Sequence, residues 1–438
     1  LGQLGLEQDA PLLARWLDQG STWHLRVNAA RALQPIAYMP EAWPALIDAL
    51  TDPHPHPSVA AAEALAGADS LPPPALDALE ALPPQPWRVE DHILTALAVA
   101  GRDARVLTSF DKLRPINTYE ATVGYRALSY IDDPVALEWL AAGVEDPRRR
   151  VAYTALNALA ERWEDDRFDP RLRQRYYRIF LKGLEREGMA VPYTAVGLLA
   201  DSVLAPLGSL ERLAEAYETW SVPDQADAMA RTVDLLAATG EMRYLPLAQS
   251  AATSSDPILR DAGRQAVQTL GEDPGPEPAA EVPEIDWDYL RSLGPSPTME
   301  FNTGRGSFIA VLDVESAPLT VQTMVRLAQV GRFDGTRFHR VVPNFVLQGG
   351  DVAFDVGFGG PGTTIVSEFT RTPYGTGTLG MASAGKDTEG SQFFVTHAPQ
   401  PHLDGRYTVF GQVAAAQGIA DRVAQGDLLR RLLITARP

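Results

Sequence analysis

Four groups of residues have types and spacings that could do chemistry. The stretch "RFHRVVPNFVLQGGD" (337–351) sets Arg340 and Gln348 into a run of valine, leucine and phenylalanine, the composition of a strand packed inside a sheet. An always-charged guanidinium there is either one half of a cross-strand ion pair or a functional donor, and no acid stands beside it in sequence. Its neighbour His339 falls on the opposite face of such a strand and reads as structural. Ser391, His402 and Asp404 supply the residue types of a hydrolytic triad, but no strained nucleophile elbow surrounds Ser391. His54 and His56 in "PHPHP" are metal-ligand types, but the interleaved prolines favour a solvated loop over a metal site. "GTGTLG" (375–380) satisfies G-x-G-x-x-G without the strand–turn–helix frame that a phosphate cradle needs, and "GFGGPG" (357–362) reads as a turn at the rim of a groove rather than a phosphate cradle.

The elements that must position these groups come from a chain of 438 residues, more than one hydrophobic core usually supports, so two or more domains are expected. Hydrophobic residues make up 45%, which fits a globular class, and no apolar run reaches the roughly 18 residues of a membrane span. There are no cysteines, which excludes disulfides and thiolate-bound metals. The net charge of −18 is unevenly placed: acids outnumber bases 37 to 25 over 1–270 and 7 to 1 over 271–296, and balance at 12 each over 297–438. An acidic body opposes phosphate backbones, so no nucleic-acid partner is expected. The sequence starts at Leu1 inside a helical pattern; a removed signal peptide or a trimmed start would each give this.

Over residues 1–270 a short pattern recurs, Arg-x-x-small-x-x-Ala-Leu/Val. It reads "RVNAARAL" (26–33), "RRVAYTAL" (149–156) and "RDAGRQAV" (260–267), with "SVAAAEAL" (58–65) and "ATVGYRAL" (121–128) as variants. Small residues three apart flatten one helix face, so a second helix can approach closely. Asp146-Pro147 and Asp256-Pro257 precede copies, with a looser case at Asp52-Pro53; Asp caps a helix and Pro fits its first turn. This resembles the HEAT-like helical repeats of bacterial proteins, and at roughly 30 residues per unit it implies about eight or nine units. Such a solenoid would offer a surface to a protein partner; a plain spacer is the alternative. "GEDPGPEPAAEVPEID" (271–286) then marks an acidic, proline-rich, extended linker that runs to 296. Within it, "WDYLRSL" (287–293) is either one helical turn docking Trp287 and Leu290 or more linker.

From Thr298 the texture changes to short strands and glycine turns. "MEFNTGRGSFIAVL" predicts a hairpin around Thr303–Gly306. Pro318 opens a helix with Val321, Met324, Val325 and Ala328 on one face, ending at Gly331, and a second helix is expected near Gln417–Ala424 with Ile419 and Val423 four apart. Many strands and two helices suggest a barrel with capping helices.

Three stretches in series, "FHRVVPNFVLQGGD", "GTLGMASAGKDTEGSQFFVT" and "PHLDGRYTVFGQV", resemble the cyclophilin-type peptidyl-prolyl isomerases. The resemblance covers residues 298 to about 436, in the family's order. It implies a closed antiparallel eight-stranded barrel with two helices and a groove on its outer face. It also implies that Arg340 is the catalytic arginine, that Gln348 anchors the substrate backbone, and that Phe345, Val346, Phe394 and Leu403 hold the proline ring. Ala382 would lie along the groove with Gln392, and Ser383 would offer its main chain to the residue before proline. His402 stands where many eukaryotic members carry tryptophan and Tyr407 where histidine is common, while Val346 replaces a more usual methionine and Ser383 a frequent asparagine. Without the indole donor, cyclosporin binding is expected to be weak.

The expected protein is thus multidomain: a HEAT-like all-α solenoid over 1–270, an acidic linker over 271–296 and a cyclophilin-type domain over 297–438. Its expected activity is X–Pro isomerisation on proline-containing client proteins or peptides, with no metal and no cofactor. The helical repeats would recruit a protein partner. A barrel that only grips proline-containing segments, or a scaffold, is the alternative. Location in a bacterial envelope (periplasm) is favoured over cytoplasm.

Overall fold

Aspartates followed by proline open helices throughout the first part of the chain. Asp256 accepts a hydrogen bond from Leu259 N (3.0 Å) ahead of the helix Pro257–Thr269. Asp133 and Asp169, neither singled out in the sequence, cap Pro134–Val144 and Pro170–Leu184 in the same way. The computed structural model describes residues 7–112, 118–276, 283–354 and 356–437. Four of the five small-residue patterns each lie on a single helix: Trp23–Leu33, Pro55–Ala66, Arg149–Asp166 and Pro257–Thr269. The pattern at 121–128 is instead split between a 3-10 turn, Glu120–Thr122, and a short helix, Tyr125–Leu128. Gly124 takes φ 85° between them, a conformation no helix interior accepts. "PHPHP" is not the solvated loop expected of it. Pro55 sits in the first turn of Pro55–Ala66, His54 caps that helix by accepting from His56 N, and His56 is buried.

The chain divides into two compact units, Leu1–Asp166 and Arg167–Pro438. In the first, the helices Trp23–Leu33, Pro55–Ala66, Trp87–Val99, Tyr125–Leu128 and Arg149–Asp166 each pack on the next of that series. In the second, Ala190–Leu199, Ala226–Ala237 and Pro257–Thr269 pack in the same manner. Among the described residues no helix is long and apolar enough to cross a membrane.

Residues 277–282 of the expected linker lie outside the described residues. The described ends on either side are tied down rather than freely extended. The Arg264 guanidinium takes the carbonyls of Pro274, Gly275 and Pro276. At the other end, Asp286 N donates to Gln322 Oε1 (2.7 Å), and Arg326 meets the Asp286 carboxylate at 2.7 Å. Asp286 also caps the helix Trp287–Leu293, whose Leu290 and Leu293 enter the core of the strand region. Trp287, in its first turn, stays 49% exposed, so the docking residue is Leu290 and not the tryptophan.

The strand region forms one antiparallel sheet: β1 Thr298–Thr303, β2 Gly306–Leu312, β3 Arg340–Val342, β4 Val346–Gly349, β5 Thr378–Met381, β6 Phe393–Thr396, β7 Val409–Ala415 and β8 Leu429–Thr435. The order across it is β3-β4-β6-β5-β7-β2-β1-β8. Thr303 pairs with Gly306 across a two-residue turn, as the hairpin reading predicts. The helix Pro318–Gln329 buries Val321, Met324, Val325 and Ala328 on the sheet's inner face with Phe301, Phe308, Phe338, Phe393 and Phe410. The sheet is an open half-barrel, where the resemblance implied full closure. Edge strands β3 and β8 share no ladder, and the gap is spanned by the isolated bridge Arg337–Leu428 with its flanking backbone bonds. β3 is only three residues long, too short to carry a ladder beyond β4. The second helix is also shorter than expected, Gln417–Ala420. Beyond it Arg422 N and Val423 N close i→i+3 bonds, and the Asp427 carboxylate takes Ala424 N, turning the chain toward β8.

Candidate active site

Alternation along the strands sorts the candidate residues before any side chain is examined. Arg340 pairs with Gln348 across β3–β4, Gln348 with Phe394 across β4–β6, Phe394 with Gly380 across β6–β5, and Gly380 with Val409 across β5–β7. These residues form one row on a single face of the sheet. The adjoining row, Val341, Leu347, Val395 and Leu379, points the other way into the core. A one-residue slip of β3 would bury the arginine and expose Val341.

The β3–β4 turn is held from two sides. Phe345 N donates to Val342 O (3.0 Å), while His397 N donates to Phe345 O (2.9 Å) and Gln400 Nε2 to Asn344 O (2.8 Å). Asn344 adopts φ 64° at the tip, a conformation that asparagine tolerates better than most residues.

On the outer face a second, smaller apolar cluster gathers Val346, Tyr374, Phe394, Leu403 and Val409, with Phe345, Ala382 and Tyr407 half-buried against it. Phe394 stacks on Tyr374 at 5.4 Å and meets Tyr407 edge-on at 5.9 Å. His402, exposed in the 3-10 turn Pro401–Leu403, stacks on Phe345 at 5.5 Å. Arg340 is exposed at the lip of this trough, its guanidinium carbon 5.6 Å from the Phe345 ring centre. Ser383 is half-buried between two anchored neighbours: Ala382 N donates to Gln392 O (2.9 Å) and Ala384 N to Thr388 Oγ1 (2.9 Å). Among the described residues none takes the main-chain groups of Ser383.

Beside the trough runs a line of polar side chains. Arg340 Nη1 donates to Gln348 Oε1 over a long 3.4 Å, and Gln348 Nε2 donates to Gln392 Oε1 at 3.0 Å. Gln392 Nε2 donates onward to the carbonyls of Gly357 (2.7 Å) and Gly359 (2.9 Å). Both ends of the Gln392 amide are therefore engaged by the protein.

Tyr374, Val409 and Glu389 join the site without any mark in the sequence. Tyr374 forms the back of the trough and its hydroxyl donates to Thr408 O (3.1 Å); burial, then the nearby Glu389 carboxyl, push its phenol up. Glu389 is fully buried beneath the wall and accepts from Thr408 Oγ1 (2.8 Å). Burial raises its carboxyl to about 7 against the opposing hydrogen bonds from Thr408 and Ser367, with Glu368 adding repulsion. Neither residue carries a spacing signal, because each meets the trough only through tertiary contact. The triad types do not assemble: Ser391 Oγ is buried and donates to Gly350 O (2.6 Å), and Asp404 accepts from Tyr374 N (2.8 Å). "GTGTLG" runs into β5, and among the described residues no group of three or more His, Asp or Glu is placed to hold a metal.

The site is thus an apolar slot with a charged planar donor at its lip, on the outer face of an antiparallel half-barrel. The family described as cyclophilin type peptidyl-prolyl cis-trans isomerase/CLD matches residues 298–433. Peptidyl-prolyl cis-trans isomerase B of Bacillus subtilis is 48% identical over 122 residues, which is 27% of this chain and 85% of that protein. A peptidyl-prolyl cis-trans isomerase of Helicobacter pylori is 40% identical over 138 residues, 31% of this chain and 84% of that one. One from Synechococcus elongatus is 54% identical over 96 residues, 22% and 66% of the two chains. This chain belongs to the cyclophilin-type peptidyl-prolyl cis-trans isomerases.

Proposed function

We propose that the strand region catalyses cis–trans exchange at X–Pro bonds of protein substrates, with Arg340 as the catalytic group. Rotation about the imide breaks its conjugation, and the barrier of about 18–20 kcal/mol reflects that loss. At the twisted transition state the prolyl nitrogen regains a lone pair. A guanidinium donating to that nitrogen favours the twisted form over either planar isomer, which is differential binding of the transition state. Phe345, Val346, Phe394 and Leu403 receive the ring and keep water from the hydrogen bond, with Tyr407 and His402 at the rim. Gln348 anchors the substrate backbone, and the main chain at Ala382–Ser383 lies alongside the residue before proline. An acceleration of about 10⁵ asks for about 7 kcal/mol, within reach of one charged hydrogen bond and a preorganised slot. No step requires a nucleophile, a metal or a cofactor.

The observation that carries this reading is the exposed Arg340 guanidinium beside an apolar trough whose other face is solid core. The test is the isomerisation rate of a short Ala-Pro peptide with the full chain and its Arg340→Ala variant. Equal rates sink the assigned mechanism, and an inactive parent leaves a proline-segment binder.

The helices over 1–270 are proposed as a HEAT-like arm that presents a surface to a protein partner, joined through 271–296 to an isomerase over 297–438. The series of helices packed on one another within each unit supports this.

A further inference from the structure

Two residues of the helical region reach the strand region within the unit Arg167–Pro438. Tyr193, half-buried on the helix Ala190–Leu199, sets its ring 5.7 Å from that of Phe358 at an interplanar angle of 46°. Pro223 Cγ lies 3.6 Å from where a Cβ on Gly362 would stand, an ordinary van der Waals approach. Tyr193 is itself fixed. The Arg231 guanidinium lies 4.6 Å over its ring and donates Nη1 to the Tyr193 carbonyl at 3.0 Å.

Phe358 and Gly362 belong to "GFGGPG" (357–362), the loop whose sequence reads as a groove-rim turn. Gly357 N donates to Asp351 Oδ2 at 2.7 Å, and the Gly357 and Gly359 carbonyls take the Gln392 amide. Gln392 in turn accepts from Gln348, and Gln348 from Arg340. A continuous set of contacts thus runs from a helix of the first region to the proposed catalytic group. Four glycines in six residues give this loop wide backbone freedom, which a few hydrogen bonds restrain only in part. The ring contact to the helix Ala190–Leu199 adds a further restraint.

We infer that Tyr193, held by Arg231, is a positioning residue for the isomerase groove: by packing on Phe358 it keeps the loop 357–362 where Gln392 and Gln348 are correctly set. The helical region then acts on the active site in cis, in addition to any partner it recruits. This rests on the reading of Gln348 as a substrate anchor. Loosening an anchor that grips the planar and twisted substrate alike raises KM and leaves kcat nearly unchanged. The packing of one aromatic pair corresponds to a change of about threefold to tenfold.

The experiment uses the full chain and a short Ala-Pro peptide, with kcat and KM measured for Tyr193→Ala, Tyr193→Phe, Phe358→Ala and the double alanine variant. The expected result is a KM raised about threefold to tenfold by Tyr193→Ala with kcat within about twofold. Tyr193→Phe restores it, and the double variant is no worse than Phe358→Ala alone. An unchanged KM in Tyr193→Ala, no rescue by phenylalanine, or additive effects in the double variant overturns the inference. Tyr193→Leu, which keeps the helix face filled, serves in the same comparison if the alanine variant does not fold. An inactive parent chain removes the isomerase reading and this inference together, whereas an active parent with an unchanged Tyr193→Ala removes only the positioning role.

Discussion

Removing the Arg340 side chain separates catalysis from stability more cleanly than any other single change. In the folded protein the guanidinium is exposed, holds one long hydrogen bond of 3.4 Å to Gln348, and lies 5.6 Å from the Phe345 ring. Losing such contacts costs within about 0.5 kcal/mol of stability. For a region of the size of 297–438 that moves the melting temperature by about 1–2 °C. In the transition state the same group would donate to a developing lone pair in a slot walled by Phe345, Val346, Phe394 and Leu403. A charged hydrogen bond of that kind is worth about 3–4 kcal/mol, a factor on the order of 10²–10³ in rate. Arg340→Lys keeps the charge but loses the planar fork, so it should fall between alanine and the parent. The assay is isomerisation of an Ala-Pro peptide followed by NMR exchange, with thermal melts of the same samples. A loss smaller than about tenfold with the melt unchanged would falsify the catalytic assignment. A melt lowered by many degrees would show instead that the arginine is a structural member of the β3–β4 hairpin.

Three further outcomes follow from the groove and its support. Glu389 is raised from 4.5 to about 7, so between those values the folded state binds more protons than the unfolded one and stability falls as pH rises, by on the order of 3 kcal/mol once above the folded value. Because Glu368, Ser367, Thr408 and Tyr374 surround it, Glu389→Gln should flatten that slope, and melts at pH 5 and pH 8 that differ as much as in the parent refute it. A methyl group at Gly380 would overlap Tyr374 Oη and Phe394 Cζ, so Gly380→Ala should cost about 1–3 kcal/mol and raise KM by displacing Phe394; parent-like values for both would show that the wall yields freely. His402→Trp adds an indole donor at the exposed rim and should tighten cyclosporin inhibition about tenfold, which an unchanged inhibition constant contradicts.

Local pattern and local capping were legible in the chain itself. The hairpin at Thr303–Gly306 and the helix from Pro318 follow from turn residues and a 3.6-residue period, both of which act over a few positions. Alternation also sets His339 opposite Arg340, and the histidine is buried while the arginine is exposed, because strand side chains point to opposite faces in turn. Where a local reading missed, a local competitor had been overlooked: Pro55 started a helix inside a supposed loop, and Asp427 took Ala424 N where a longer helix was expected.

The sequence alone therefore determined that helices precede an acidic stretch and a strand region, and its resemblance to a known family singled out Arg340, Gln348, Phe345 and Phe394. The tertiary structure decided what stands around them. Tyr374 and Val409 complete the trough, Glu389 is buried beneath its wall, Gln392 spends both ends of its amide on protein partners, and Tyr193 meets Phe358 from the helical region. The physical reason is distance along the chain. Periodicity and capping are encoded within one or two turns of backbone, whereas burial, proton affinity and ring packing depend on groups tens to hundreds of residues apart that only folding brings together.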